Sequence, residues 1–517
     1  MIYTKEQKQI IINNNLRIKI IANPGSGKTF TIIQKYIYMI RNNIILNNKT
    51  IIISYTKKSA QELEVRLLKE NIPLPKHVGT IHKLCLKILK EYFDINYIII
   101  DDDISKEYIL KVLKKLEINE KKLNKIKKII DYAKTFYPIN IEEACKKNKI
   151  NLSIKIIKKI NKIYDNSKKT KNEIDFGDIL QLLMNKLTKN KEILEKILLD
   201  IDCIFFDEFQ DINMIQSFIL ELLSKNKRVV VVGDPNQAIY GFRGANKEFI
   251  ADFKGIKYRL NENFRSTKRI ISILNGIYLK SNNITKNRLG SKPIYKKYNN
   301  FEEFISNLKK SKDSIIIARF NKDLDSIEKL LLEKDIDYVR NNMISQRTHS
   351  KLFILLLQLI IKRNVIIKNF ILKEYSKIIN SSILKNIKSI KDIYNFLIKV
   401  YKEKKDKNDI CIIYNLYKKK KIKTINETIE FINNLTLDNN NVNYDKLTLS
   451  TIHGSKGLEY KNVYFLLDGF SKEEIKDEQK RLIYVGCSRA KSHLVLLNVN
   501  EEYCSFIKNL NPLYYNI

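Results

Sequence analysis

The chain has 517 residues, and Lys+Arg 95 against Asp+Glu 57 gives a formal net charge of +38. That length exceeds what one hydrophobic core supports and implies about three or four compact units, while the charge implies a polyanionic partner bound in a salt-dependent way. Six scattered cysteines without a C-x-x-C pair argue against a disulfide scaffold or a zinc or iron–sulfur site, and the longest apolar stretch, 353–361, is too short to span a bilayer.

About half of the excess charge follows from a joint Lys, Asn and Ile enrichment that an AT-rich coding sequence produces, so charge supports nucleic-acid binding without establishing it. The N-terminus, Met1-Ile2-Tyr3-Thr4-Lys5-Glu6, lacks the apolar core of a signal peptide. An intracellular, soluble protein of a reducing compartment is expected, cytoplasm and nucleus being indistinguishable, with no membrane partner.

An apolar run at 18–21 leads into Ala22-Asn23-Pro24-Gly25-Ser26-Gly27-Lys28-Thr29, and a helical pattern follows at 32–40. Strand, glycine loop and helix in this order form a phosphate-binding loop. The glycines let backbone N–H groups turn onto a β-phosphate at a helix N-terminus. Lys28 is placed to reach the β- and γ-phosphates, and the Thr29 hydroxyl to hold Mg²⁺; ATP and Mg²⁺ are the expected cofactors.

Further apolar runs at 51–55, 204–207 and 229–233, then at 314–318, 447–452, 463–467 and 493–498, alternate with helical patterns and predict two parallel α/β cores. Two Lys-rich, helix-patterned stretches without strand-like runs, between 85 and 174 and between about 362 and 443, read as one helical insertion in each core. The run at 204–207 ends in Asp207-Glu208-Phe209-Gln210-Asp211, which sets Asp207 beside the phosphate loop to hold Mg²⁺ and Glu208 to polarise the attacking water.

The stretch Val231-Val232-Gly233-Asp234-Pro235-Asn236-Gln237-Ala238-Ile239-Tyr240-Gly241-Phe242-Arg243-Gly244-Ala245 and Asn261-Glu262-Asn263-Phe264-Arg265-Ser266 bring a resemblance into view. So do Thr451-Ile452-His453-Gly454-Ser455-Lys456-Gly457-Leu458-Glu459-Tyr460, Tyr484-Val485-Gly486-Cys487-Ser488-Arg489-Ala490, and Gln7 in Tyr3-Thr4-Lys5-Glu6-Gln7. Taken in this order, these motifs are similar to those of the UvrD, Rep and PcrA helicases of superfamily 1, over nearly the whole chain.

The resemblance implies an α/β fold of two RecA-like P-loop domains, each with a mainly helical insertion. The corresponding segments are 1–85 and 175–268 for the first motor domain with 86–174 as its insertion. The second comprises 269–361 and 444–517, with 362–443 as a reduced insertion. It implies that the nucleotide lies between the two cores, the second supplying cations: Arg265 and Arg489 match the γ-phosphate arginines. Gln237 matches the γ-phosphate glutamine, Glu459, beside Gly457, a ribose contact, and Gln7 an adenine contact. Phe30 stands where the family commonly has an arginine on the adenine and Phe264 where it has a tyrosine. The pair forms a base sandwich unless Phe30 is core.

Tyr55, Thr56, Thr80, His82 and His453 match positions that line single-stranded DNA, and Tyr240, Phe242 and Arg243 fall in the base-stacking segment. The implied activity is an ATP-dependent helicase moving 3′ to 5′ on single-stranded DNA in repair, recombination or replication, with single-strand/duplex junctions as substrate. A translocase that strips proteins without unwinding and a non-hydrolysing DNA-binding scaffold are the alternatives; a fused nuclease is not expected after Arg489.

Overall fold

The computed structural model describes residues 3–278, 283–308, 312–334, 336–340, 445–470 and 476–499. It also describes 379–401, residue 507 and scattered residues from 352 to 375 and at 410 and 414. The chain divides into two compact units, Met1–Arg288 with Lys480–Tyr484, and Leu289–Gln479 with Val485–Ile517.

In the first unit the strands are β1 (Arg17–Ala22), β2 (Thr50–Ile53), β3 (His77–Gly79), β4 (Ile98–Ile99), β5 (Glu173–Ile174), β6 (Cys203–Phe206), β7 (Arg228–Gly233) and β8 (Ile256–Leu260). Six of them form one parallel sheet in the order β3-β2-β6-β7-β1-β8. β2 and β6 are buried at every position, as strands covered by helices on both faces must be.

The two faces separate by the strand period of two. Ile51, Ile53, Ile204, Phe206, Val229 and Val231 join one core, with Leu84, Ile88, Ile179 and Leu183 from the helices Ile81–Phe93 and Phe176–Lys189. Ile52, Phe205, Val230 and Val232 join the other, with Ile32 and Tyr36 from the helix Lys28–Arg41.

The segment after the helix Ile81–Phe93 builds a helical body with its own core, in which Ile109, Leu113, Ile126, Ile130, Ile157 and Ile160 meet. Its helices Asp102–Lys115, Ile141–Asn148 and Ile154–Lys169 start at Asp101, Asn140 and Ser153, whose side-chain oxygens accept the first free N–H groups. Contrary to the expectation of a strandless stretch, β4 and β5 pair here, Ile98 with Glu173 and Ile99 with Ile174.

The second unit has β9 (Ile294–Tyr298), β10 (Ser314–Ala318), β11 (Tyr338–Arg340), β12 (Leu447–Thr451), β13 (Tyr460–Leu466) and β14 (Ala490–Val499). They form a second parallel sheet in the order β11-β12-β10-β13-β14-β9. Two α/β cores with parallel sheets are thus present, as the alternating pattern predicted. Much of the segment 362–443 lies outside the described residues, as do Cys411 and Cys504; the helices Ser381–Asn386 and Ile390–Val400 are described within it. Cys85, Cys145, Cys203 and Cys487 are buried free thiols, and among the described residues no helix is long and apolar enough to cross a membrane.

Candidate functional site: a nucleotide loop and an aromatic face

Parallel strands open their C-terminal ends toward one edge of the sheet, where ligands of such folds bind. The predicted residues of the first unit follow those ends. Asn23 to Thr29 follow β1, Tyr55 and Thr56 follow β2, Thr80 and His82 follow β3, Asp207 and Glu208 follow β6, Gln237 follows β7, and Phe264 and Arg265 follow β8.

The phosphate loop is held from both sides. Asn23 N–H donates to Leu260 O at 3.0 Å, Ser26 Oγ donates to Asn23 O at 2.7 Å, and Asn263 Nδ2 donates to Pro24 O at 2.6 Å. Gly25 and Gly27 take φ of +65° and +79°, conformations that a side chain disfavours. The helix begins at Lys28 directly behind them, so its free N–H groups face the loop.

Lys28 Nζ lies 3.5 Å from Glu208 Oε1, and Thr29 Oγ1 donates to Asp207 Oδ2 at 3.3 Å. Burial and then the neighbouring Glu208 carboxylate push Asp207 up to about 7, while Lys28 pulls it down. A hydroxyl and a buried carboxylate, both hard oxygen donors, fit a Mg²⁺ ion that takes its remaining ligands from phosphate and water. Among the described residues no group of three or more His, Cys, Asp or Glu forms an all-protein metal cage.

Arg265 corrects an expectation. It belongs to the first unit, the one that carries the phosphate loop, rather than to the second. Phe264 N–H donates to Gly25 O at 2.9 Å, and Asn263 Oδ1 accepts the N–H groups of Arg265 and Ser266 at 2.8 and 2.7 Å. Arg265 is therefore positioned by the same Asn263 that ties down the loop.

Gln7 caps its own helix, receiving the Thr4 N–H at 3.1 Å, and its Nε2 would lie 3.0 Å from a Cβ on Gly27. Phe30 is half-buried with its ring 5.9 Å from that of Tyr3, and Phe264 is 49% exposed. An aromatic surface thus flanks the loop, and Tyr3 joins it although its motif drew attention only to Gln7.

Gln237 Nε2 donates to Asp234 Oδ2 at 2.7 Å, and both side chains are buried. Burial raises Asp234, and Lys28 opposes that rise. Asp234, Gln210 and Asn263 are the site residues that motif matching left without a role. Their signal was in the sequence, as polar residues interrupting apolar strand ends.

The second set of residues forms an aromatic face on the same unit. The rings of Tyr55 and Tyr240 stack at 4.9 Å, Phe242 lies 6.1 Å from Tyr240, and the Arg243 guanidinium stands 5.4 Å over Tyr240 and 5.5 Å over Phe242. Thr56 and Thr80 are N-caps of the helices Lys57–Lys69 and Ile81–Phe93. His82 meets Phe176 edge to face at 6.2 Å, and burial pushes its imidazole down to about 4. His82, Phe176, Phe242 and Arg243 line a cleft of about 680 Å³ together with Lys106, Lys127 and Lys128 of the helical body. Asp102 and Asp131 line the same cleft and pair with Lys106 and Lys127, so Arg243 beside the exposed rings of Phe242 and Phe176 is the feature that suits a single strand whose bases can stack.

The remaining predicted residues belong to the second unit. Arg489 is 2% exposed, with Nε donating to Val485 O at 3.0 Å and Nη1 to Leu458 O at 3.2 Å. Glu459 pairs with Lys491 at 3.2 Å, Gly457 takes φ of +84°, and His453 lies in the short helix Ile452–Ser455 behind β12.

Known protein families match this chain over both units. The UvrD/REP helicase N-terminal domain matches residues 3–257 and the UvrD-like helicase C-terminal domain matches residues 408–501. A probable DNA helicase II homolog of Mycoplasma capricolum subsp. capricolum is 28% identical over 98% of this chain and 85% of its own length. The ATP-dependent DNA helicase Rep of Buchnera aphidicola subsp. Acyrthosiphon pisum is 27% identical over 94% of this chain and 93% of its own. The ATP-dependent DNA helicase srs2 of Schizosaccharomyces pombe is 25% identical over 95% and 71%. With the phosphate loop, the acidic strand end and the aromatic face in one unit and a second parallel core following it, the chain belongs to the UvrD/Rep-like family of superfamily 1 helicases.

Proposed function

We propose that this protein is an ATP-dependent DNA helicase that moves 3′ to 5′ on single-stranded DNA and separates strands when it meets a junction. The observation that carries the reading is the juxtaposition in one unit of Lys28, Glu208, Thr29 and Asp207 with the Tyr55–Tyr240 stack. In this reading phosphate chemistry and base stacking share the C-terminal ends of one sheet.

In this reading the N–H groups of the loop and Lys28 grip the β- and γ-phosphates. Thr29 and Asp207 would hold Mg²⁺, which neutralises charge on the phosphate oxygens. Glu208, drawn to Lys28 before nucleotide enters, is released to orient the attacking water once Lys28 turns to phosphate. Arg265 and Arg489 supply cations to the γ-phosphate, and Gln237, held by Asp234, reads its presence. Gln7, Phe30 and Phe264 take the adenine, and Gly457 and Glu459 the ribose side. Tyr55, Thr56, Thr80, His82, Tyr240, Phe242, Arg243 and His453 hold the strand. Segments 1–85 with 175–268, and 269–361 with 444–517, act as the two motor cores, and 86–174 and 362–443 as their insertions.

The test is phosphate release with and without a single-stranded oligonucleotide, followed by strand displacement on duplexes with 3′ or 5′ tails. Lys28→Ala should abolish DNA-stimulated turnover, and only the 3′-tailed duplex should open. Full turnover in Lys28→Ala, or a preference for 5′ tails, refutes the reading. Displacement of a bound protein without displacement of a paired strand would favour the stripping translocase.

A further inference from the structure

Gln210 sits in the 3-10 turn Phe209–Asp211 behind Glu208 and is fully buried. Its Nε2 donates to Glu208 Oε2 and, at 3.2 Å, to Asp211 Oδ2, while its Oε1 accepts the Asp234 N–H at 2.9 Å. One amide therefore commits both donor protons and its carbonyl to three different parts of the site.

Each of those three parts leads somewhere. Glu208 faces Lys28 and has φ of +58°, a left-handed conformation uncommon for a residue with a side chain. Such a conformation persists only where its surroundings hold it, here the Gln210 bond and the donation of the Glu208 N–H to Asp207 Oδ1 at 2.9 Å. Asp234 accepts from Gln237. The Asp211 charge acts on Tyr55: burial raises the Tyr55 hydroxyl, Asp211 raises it further, and Arg243 opposes that rise. Tyr55 in turn stacks on Tyr240 beneath Arg243.

Space for the amide is made by Gly233, because a Cβ there would fall 2.2 Å from Gln210 Oε1. The end of β7 is thus shaped around this side chain.

We propose that Gln210 is the positioning residue that ties the aromatic face to Glu208, so that a base stacking on the exposed Phe242 and displacing Arg243 or Tyr55 from the buried Tyr240 re-aims the carboxylate through the charge of Asp211 and the Gln210 amide. This rests on the reading of Glu208 as the group that orients water and of the aromatic face as the DNA track. A buried hydrogen-bond network transmits such a shift because breaking one member leaves its partners unsatisfied.

The experiment uses the full chain, with an oligo-dT strand as probe. Gln210→Met keeps the volume and removes all three hydrogen bonds. The expected result is a kcat about a hundredfold lower with DNA but only about tenfold lower without it. The KM for ATP and the affinity for oligo-dT should stay within about twofold of the parent.

Equal losses with and without DNA, or no loss, overturn the link. Should Gln210→Met fail to fold, as read from its melting curve, Asp211→Asn decides by the same ratio of stimulated to unstimulated turnover. Glu208→Gln is measured in parallel. If it hydrolyses ATP normally, the assignment of the base is what fails, whereas a dead Glu208→Gln beside a fully stimulated Gln210→Met defeats the coupling alone.

Discussion

A Cβ added to Gly25 would lie 2.7 Å from the Cβ of Arg265, so the phosphate loop and the segment after β8 form one continuous surface. Asn263 fastens both, donating to Pro24 O and accepting from the N–H of Arg265. Gly25→Ala must strain a backbone at φ of +65° and push Arg265 aside. The expected outcome is binding of a fluorescent ATP analogue weakened by about tenfold or more, with the melting temperature little changed. Unaltered affinity would show that the loop and the arginine are independent.

Phe242 is 40% exposed beside the Tyr240 ring and under Arg243. Phe242→Ala removes an open stacking surface worth about 1–3 kcal/mol per base. The affinity for oligo-dT, measured by anisotropy, should fall by about tenfold to a hundredfold, and DNA stimulation should suffer more than unstimulated turnover. Equal affinity in variant and parent would remove Phe242 from the track.

His82 offers a pH test. Burial holds its pKa at about 4, below the ordinary 6.5, so between those values the unfolded chain binds the proton and the folded chain does not. Its contribution to stability is thus fully present above 6.5 and lost as the pH falls to about 4. Compared with His82→Gln, the parent should lose stability across that window and run parallel to it above pH 7. The check is a pair of urea titrations at several pH values, and parallel curves throughout would mean the ring is not held neutral.

Lys134 Nζ is buried among Asp175 Oδ2 at 2.7 Å, Asp178 Oδ1 at 2.6 Å and Asp165 Oδ1 at 3.5 Å. Burial alone would lower its pKa, and the three carboxylates more than reverse that. Lys168 shares the same acids, and Asp175 and Asp178 form the capping box of the helix Phe176–Lys189 that lines the cleft. Lys134→Met leaves carboxylates undercompensated in a dry site and should cost about 3–5 kcal/mol. Urea unfolding reads this loss, and a change of less than about 1 kcal/mol would mean that water reaches the cluster.

The eight apolar runs read from the sequence are the eight interior strands of the two sheets. Among the described residues, the four strands of these sheets without such a run, β3, β8, β9 and β11, are the sheet edges. An edge strand pairs on one side only and carries polar and charged residues that blunt aggregation. Ile256–Leu260 reads IKYRL and Ile294–Tyr298 reads IYKKY, and neither announces itself as a buried strand. The pair β4 and β5 is two residues long in each strand, below the length at which alternation is legible.

The sequence by itself determined the local chemistry: a glycine loop before a helix, paired acids at a strand end, and aromatic residues around Arg243. Each depends on neighbours a few residues away, and backbone propensity carries that information. Only the tertiary structure decided which distant residues meet. It set Arg265 beside Gly25 in the same unit and made Asn263 the fastener of both. It also closed a hydrogen-bonded path from Glu208 through Gln210 to Asp234. Asp234 is 24 residues from Gln210 and Asn263 is 239 from Pro24, and it is the register of parallel strands, set by burial on both faces, that aligns the C-terminal ends that carry them.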